Sequence, residues 1–197
     1  MDYLPIRRAL LSVTDKSGLN EVCAALVRGQ AELVSTGGTM RYIQEAGFPV
    51  TAVSEVTGFP EILNGRVKTL HPRIHAGVLA DKDNQEHIHT LRRMDILAFD
   101  LVCVNLYDFA QALEQNKEDQ ELVEEIDIGG PTLLRAGAKN YHSLTVLPTP
   151  TVYAEFLSEL ETHQGAVSLE FRKRMAAKTF ALTSSYDHMI AQAMKTN

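Results

Sequence analysis

ELVSTGGT, residues 32 to 39, decides the fold: an apolar run ends at Val34 and passes without a break into Ser35, Thr36, Gly37, Gly38 and Thr39, after which residues 39 to 46 take helical spacing. A buried strand that feeds a glycine turn and then a helix is the repeating unit of a parallel α/β sheet. Gly47 closes the helix as a C-cap. Upstream, RALLSV at 8 to 13 reads as a first buried strand, and Asp15, Lys16 and Ser17 offer capping groups for a helix through about Arg28. With VTAV at 50 to 53 the order is βαβαβ from the start, which predicts a parallel sheet covered on both sides by helices. Residues 54 to 77 read as a long functional loop. Helix 84 to 94, strand DLVCVNLY at 100 to 107 and helix 119 to 126 follow. DIGGPTLLRAGAKN then opens a helix with Arg135 and Lys139 on one face, before a last strand, LTVLP, at 144 to 148. Residues 149 to 197 read as two helices, the second with Phe171, Met175, Phe180 and Ile190 on an apolar stripe.

Composition narrows the classes of function. The 197 residues are 45% hydrophobic, enough for one ordinary globular domain with a real core. Asp and Glu number 25 against 19 Lys and Arg, so the net charge of -6 argues against a broad nucleic-acid face and makes any basic cluster local. Cys23 and Cys103 lie far apart in apolar surroundings without CxxC spacing, which supports neither a disulfide nor structural zinc and fits a reducing cytoplasm. There is no signal-like N-terminal apolar run and no stretch of about 18 apolar residues.

Ligands of open parallel sheets bind outside the carboxyl ends of the strands. One such end carries Ser12, Thr14 and Lys16. The next, STGGT, sets hydroxyls, close-approach glycines and helix-start N–H groups where an anion is favoured, and reads as a phosphate cradle beside Lys16. It is neither a Walker loop nor GxGxxG; a Gly-Gly turn after a strand is also often only a tight connection. GFPEILNGRVKTLHP, residues 58 to 72, gathers Arg66, Lys68, Thr69 and His71 in a Gly- and Pro-bounded segment that no regular helix spans, and suggests a bound anion. Lys68, Tyr107, Asp127 and Lys139 come from four segments that this sheet order brings together. Each also has an ordinary reading: Lys139 as a solvated helix residue, Asp127 as an N-cap, Tyr107 as a strand-edge residue with a wet hydroxyl. His71 and His75 lack a metal-ligand pattern, and His87 and His89 sit in a polar helix.

LLSVTDKS at 10 to 17, VSTGGT at 34 to 39, VSEVTGFPEILNGRVKTLHPRIHAGVL at 53 to 79, VNLYDF at 104 to 109 and EEIDIGGPTLLRAGAKN at 124 to 140 closely resemble the IMP cyclohydrolase domain of the bifunctional purine biosynthesis (AICAR transformylase/IMP cyclohydrolase) family. The likeness covers nearly the whole chain. It implies a three-layer Rossmann-like α/β parallel sheet of methylglyoxal-synthase-like type over residues 1 to 148, with a C-terminal helical extension, 149 to 197, packed on it. The implied activity is closure of 5-formamidoimidazole-4-carboxamide ribotide (FAICAR) to inosine monophosphate (IMP) with loss of water. It also implies Lys68, Tyr107, Asp127 and Lys139 as the catalytic set, with Asp127 as base and Lys139 its main electrostatic partner. Ser12, Thr14, Lys16, Ser35, Thr36, Gly37, Gly38 and Thr39 would hold the phosphate, and Arg66, Thr69, Asn105, Ile128 and Gly129 the heterocycle and ribose. No metal or redox cofactor is required. The family is homodimeric and continues into a formyltransferase domain, so this chain is either a stand-alone cytoplasmic enzyme or a piece of the bifunctional protein. One departure is Asp108, where the family usually has proline after the tyrosine. Two rivals share the fold: a methylglyoxal synthase, whose aspartate-rich strings are not found, and a nucleotide-sensing module with no use for the Lys, Tyr and Asp set.

Overall fold

The computed structural model describes residues 1–107, 109–115 and 119–195. In chain order the elements are β1 (Tyr3–Pro5), β2 (Arg8–Ser12), α1 (Leu19–Arg28), β3 (Glu32–Ser35), α2 (Gly37–Glu45), β4 (Thr51–Ala52) and α3 (Val53–Thr57). A 3₁₀ turn at Leu63–Gly65 precedes α4 (Pro72–Leu79), α5 (Gln85–Arg93), β5 (Leu101–Val104), α6 (Phe109–Glu114), α7 (Asp119–Glu124), α8 (Gly129–Lys139) and β6 (Thr145–Leu147). A second 3₁₀ turn at Pro150–Val152 leads to α9 (Tyr153–Thr162), β7 (Ala166–Ser168) and α10 (Leu169–Ala193).

Five strands form a parallel sheet in the order β4-β3-β2-β5-β6. Successive side chains of a strand point to opposite faces, yet Ala9, Leu10 and Leu11, all of Leu101–Val104 and all of Thr145–Leu147 are buried. Both faces are therefore covered by helices, and the three-layer α/β class expected from the apolar runs is what the chain adopts. The chain builds outward from β2 to β4, then returns to the other flank of β2 for β5. The gap between the ends of β2 and β5 is thus the switch point where an α/β sheet opens a ligand crevice.

Several boundaries differ from the sequence reading. Residues 54 to 77 are not one loop: α3 fills Val53–Thr57 and ends at Gly58, whose φ of 67° only glycine takes easily, while Pro72 sits at the start of α4 behind a His71 N-cap. The α1 start uses Gly18 at φ 71° with no side-chain cap; Asp15 instead accepts the Ser17 N–H at 2.9 Å in the turn before it. LTVLP is not the last strand, because β7 pairs antiparallel with β1 and ties the amino terminus to the start of α10. The apolar stripe of α10 is also rotated from expectation. Phe171 and Met175 are buried, but Phe180 is 40% exposed with the Arg135 guanidinium 5.8 Å from its ring, and the inward face continues through Thr179, Thr183 and Tyr186. Both threonine hydroxyls donate to carbonyls of their own helix, Thr179 to Met175 at 2.7 Å and Thr183 to Phe180 at 3.2 Å, so burial leaves neither unpaired. Val152, Phe156, Phe171 and Met175 join the same core as Leu10, Leu33 and Val102. Among the described residues no helix is long and apolar enough to cross a membrane. Asp108 lies outside the described residues.

Candidate active site

The carboxyl ends of β2, β3 and β5 open into a cavity of about 600 Å³, a size suited to a small ligand. Asn105, just past β5, organises its floor. Its side-chain oxygen accepts the Thr14 and Asp15 N–H groups at 2.6 and 3.1 Å, and its amide donates to the Asp15 carbonyl at 2.8 Å. The turn after β2 is thereby fixed across the switch point. Ser12, Thr14 and Lys16 line the cavity there, the Lys16 ammonium donating to the Thr14 carbonyl at 3.2 Å and lying 6.0 Å from the Tyr42 ring centroid.

The STGGT turn forms the adjacent wall. Thr36, Gly37, Gly38 and Thr39 line it, and α2 starts at Gly37, whose φ of 56° suits glycine. Among the described residues no side chain caps the helix and its first turn carries no acidic residue, so its first N–H groups and the positive end of its dipole are open to an anion in the cavity. Thr39 is committed to the fold: its hydroxyl accepts the Val13 N–H and donates to the Val13 carbonyl, both at 2.9 Å. Ser35 is not in the wall at all. As part of β3 it points inward, wholly buried, and its hydroxyl donates to the Leu11 carbonyl at 2.7 Å.

The segment 58 to 72 folds over this turn. A methyl group built on Gly37 would lie 3.5 Å from the Lys68 ammonium, and one on Gly129 would lie 3.2 Å from the Thr69 hydroxyl, so Lys68 and Thr69 join the turn after β3 to the start of α8. Arg66, Lys68 and Thr69 all line the cavity. Two carboxylates that the sequence reading missed hold this loop: Lys68 pairs with Glu61 at 3.2 Å, and Arg66 pairs with Glu124 of α7. At Gly65, with φ 90°, an added Cβ would fall 2.7 Å from Lys68 Cε, so glycine there clears the path of the lysine.

Asp127, Ile128 and Gly129 complete the cavity with the exposed Tyr107. Asp127 Oδ1 accepts the Gly130 N–H at 2.8 Å, so the residue does cap α8 while it lines the cavity. A Cβ on Gly130 would fall 2.2 Å from Asp127 Oδ2, which gives the second glycine of DIGG its reason. Burial raises the Asp127 pKa above its ordinary value, opposed by the Gly130 and Gly129 N–H groups and by the Lys68 charge. The Lys68 charge favours the ionised carboxylate, but desolvation outweighs it.

Lys68, Tyr107 and Asp127 thus share one cavity, and Lys139 does not. It is the exposed last residue of α8, about 15 Å along the helix from Gly129 at 1.5 Å per residue. Its spacing from Arg135 fixed a helix face but said nothing of depth along the axis. Tyr186 was also missed: its hydroxyl oxygen accepts the Asp127 N–H at 2.8 Å from α10, and no local sequence signal marks a contact across 59 positions. Among the described residues no cluster of His, Cys, Asp or Glu has the makings of a metal site.

Comparison with known proteins adds a second line of observation. The MGS-like domain matches residues 18–132, and the AICARFT/IMPCHase bienzyme matches residues 137–197. Among curated proteins, the bifunctional purine biosynthesis protein PurH of Rippkaea orientalis is 53% identical over 192 residues, which is 96% of this chain and 37% of the relative. That of Halalkalibacterium halodurans is 51% identical over 94% of this chain and 36% of the relative. The chain therefore spans little more than a third of the length of these relatives. Among solved structures, one titled "Crystal structure of ForH" superposes with a TM-score of 0.85 at 30% identity, covering 96% of this chain and 97% of the other.

Proposed function

The chain belongs to the MGS-like domain family, and we propose from that premise that it is an IMP cyclohydrolase, closing FAICAR to IMP with loss of water. The observation that carries this reading is the meeting of Lys68, Tyr107 and Asp127 in one cavity beside the uncapped start of α2. The PurH likeness over 96% of the chain supports the same reaction.

The chemistry suits these groups. The carboxamide nitrogen attacks the formyl carbon, a C–N bond forms, and negative charge gathers on the formyl oxygen. Asp127 accepts the carboxamide proton, and its raised pKa makes it a stronger base than an ordinary carboxylate. The Lys68 ammonium and the Tyr107 hydroxyl are the donors for the oxyanion. The formyl C–O bond then breaks, and that oxygen leaves as water with one proton from the carboxamide nitrogen and one from the formamide nitrogen. Nucleophile and electrophile belong to one molecule, so holding the reactive rotamer supplies much of the acceleration. We assign the cationic partner role to Lys68, since that ammonium bears on Asp127 and Lys139 ends α8 on the outside.

The substrate phosphate belongs on the α2 N–H groups with Lys16, and Arg66, Thr69, Asn105, Ile128 and Gly129 remain for the base and ribose. Purified protein is expected to convert FAICAR to IMP in an absorbance assay. Lys16→Ala is expected to raise KM about tenfold with kcat little changed, because a phosphate contact holds ground and transition states alike. An unchanged KM would move the phosphate elsewhere. Release of inorganic phosphate from dihydroxyacetone phosphate, with no ring closure, would turn the reading to methylglyoxal synthase. As in the bienzyme relatives, the substrate would come from a formyltransferase, on the same polypeptide or a separate one. A homodimer is expected by sedimentation; a monomer at micromolar concentration would remove that part of the proposal.

A further inference from the structure

Asp127 is fixed from two directions, and one of them lies outside the cavity. On the cavity side, the Gly130 N–H holds its carboxylate at 2.8 Å. On the other side, its own main-chain N–H donates to the Tyr186 hydroxyl oxygen, also at 2.8 Å. Tyr186 is 5% exposed, and its ring meets Phe109 of α6 edge-on with centroids 6.3 Å apart. The ring has no free rotation to solvent, so its oxygen is a fixed acceptor. Tyr186 does not line the cavity. It belongs to the region matched by the bienzyme family, residues 137–197, whereas Asp127 belongs to the region matched by the MGS-like domain, so this hydrogen bond is among those that join the two.

We propose that Tyr186 is a positioning residue for Asp127, its hydroxyl holding the Asp127 main chain so that the carboxylate stands where the carboxamide proton must be taken. The inference rests on the reading of Asp127 as the base. Tyr186 acts only through Asp127. A carboxylate held only by the N–H groups that begin α8 can pivot with that junction; one whose own main-chain N–H is also held cannot. Reactive geometry is steep, with about 1 Å of misplacement costing about a hundredfold in rate. The charged and titratable groups bearing on the pair are Lys68 at Asp127, and Tyr107 and Asp187 at Tyr186.

Tyr186→Phe removes the acceptor oxygen and keeps the ring against Phe109. The expected result is a kcat lowered about thirtyfold with KM within about twofold, because the fault lies in reactive geometry and not in ground-state binding. Hydrogen exchange of the Asp127 amide, followed in the same variant, is expected to accelerate at least about tenfold, since that N–H has lost its partner. Met175→Ala serves as the comparison: it opens a cavity under the same helix, three turns away from Tyr186, and is expected to lower Tm while leaving kcat and Asp127 exchange unchanged. A Tyr186→Phe kcat equal to that of an active parent would overturn the proposal, as would a Met175→Ala kcat lowered to the same degree. A parent that closes no ring would sink the cyclohydrolase reading instead. In that case the amide readout decides alone: faster Asp127 exchange in Tyr186→Phe upholds the anchoring, and unchanged exchange overturns it.

Discussion

Asp127→Asn is expected to lower kcat for ring closure by about a thousandfold while KM moves no more than a few-fold, within the range that a lost general base produces. Asparagine is the informative replacement because its side-chain oxygen still accepts the Gly130 N–H, so the start of α8 and the cavity wall stay in place. Only the capacity to take a proton is removed. Alanine would confound that loss with a lost helix cap of about 1 kcal/mol. A kcat within about threefold of the parent would mean that another group, or water, takes the carboxamide proton.

The same residue sets a pH dependence with two opposite signs. As a base, Asp127 works ionised, and its folded pKa is raised by burial. The acid limb of kcat/KM is therefore expected above the ordinary carboxylate range, with activity lost as pH falls through the raised value. For folding the sign reverses. The native state binds this proton more tightly than the unfolded chain, so between the unfolded and the raised folded value stability increases as pH falls. Above that window the buried charge is a cost to the fold. The Asn variant escapes it, and is expected to melt no lower than the parent at neutral pH; a markedly lower Tm would mean the ionised carboxylate is stabilising on balance.

What the sequence revealed and what it hid divide along the range of the interactions. Strands such as RALLSV and LVCV announce themselves because both of their faces are buried, and the glycine turn after β3 does so because the φ of 56° at Gly37 suits glycine better than residues with a Cβ. Of the three groups that share the cavity only Tyr107 stands just past a strand; Lys68 lies between α3 and α4 and Asp127 between α7 and α8, so the family resemblance and not the sheet pattern singled them out. Ser35 was misjudged for a reason of one residue: the hydroxyl nearest the turn still belongs to β3 and alternates inward to the Leu11 carbonyl. Lys139 was misjudged along an axis, since helical spacing gives a side but not a height. Glu61 and Glu124, which neutralise Lys68 and Arg66, and the pairing of Tyr3–Pro5 with Ala166–Ser168 depend on approaches that no local pattern encodes. Tyr186 is the costliest omission, because it sits in a stretch read only as an apolar stripe.

The C-terminal segment that carries Tyr186 is itself held by one side chain, which leads to the largest expected effect on stability. Arg172 of α10 is fully buried, and among the described residues no carboxylate forms an ion pair with it, the charges of Asp2 and Asp83 acting on it only at longer range. Its guanidinium donates instead to main-chain carbonyls of Ser168 at 3.3 Å, Tyr141 at 3.0 Å, Met1 at 2.6 Å and Asp2 at 3.4 Å, and to that of His142. Three separated stretches of chain, the amino terminus, the turn after α8 and the start of α10, thus meet on one cation. Arg172→Met fills much of the volume and removes every donor. A buried ion pair can be exchanged for apolar side chains at little loss because both partners leave together. Here the acceptors are backbone and stay behind. Each orphaned carbonyl costs about 1–3 kcal/mol where water does not reach it, and the termini relax enough to rescue some, so a loss of about 3–5 kcal/mol is expected. At about 2–4 °C per kcal/mol for a chain of this size, Tm should fall by roughly 10 °C or more. Arg172→Lys keeps the charge but not the planar fork, and is expected to recover only part of the loss. Urea unfolding of the three proteins measures it. A Met variant within about 1 kcal/mol of the parent would show that water, and not Arg172, satisfies those carbonyls.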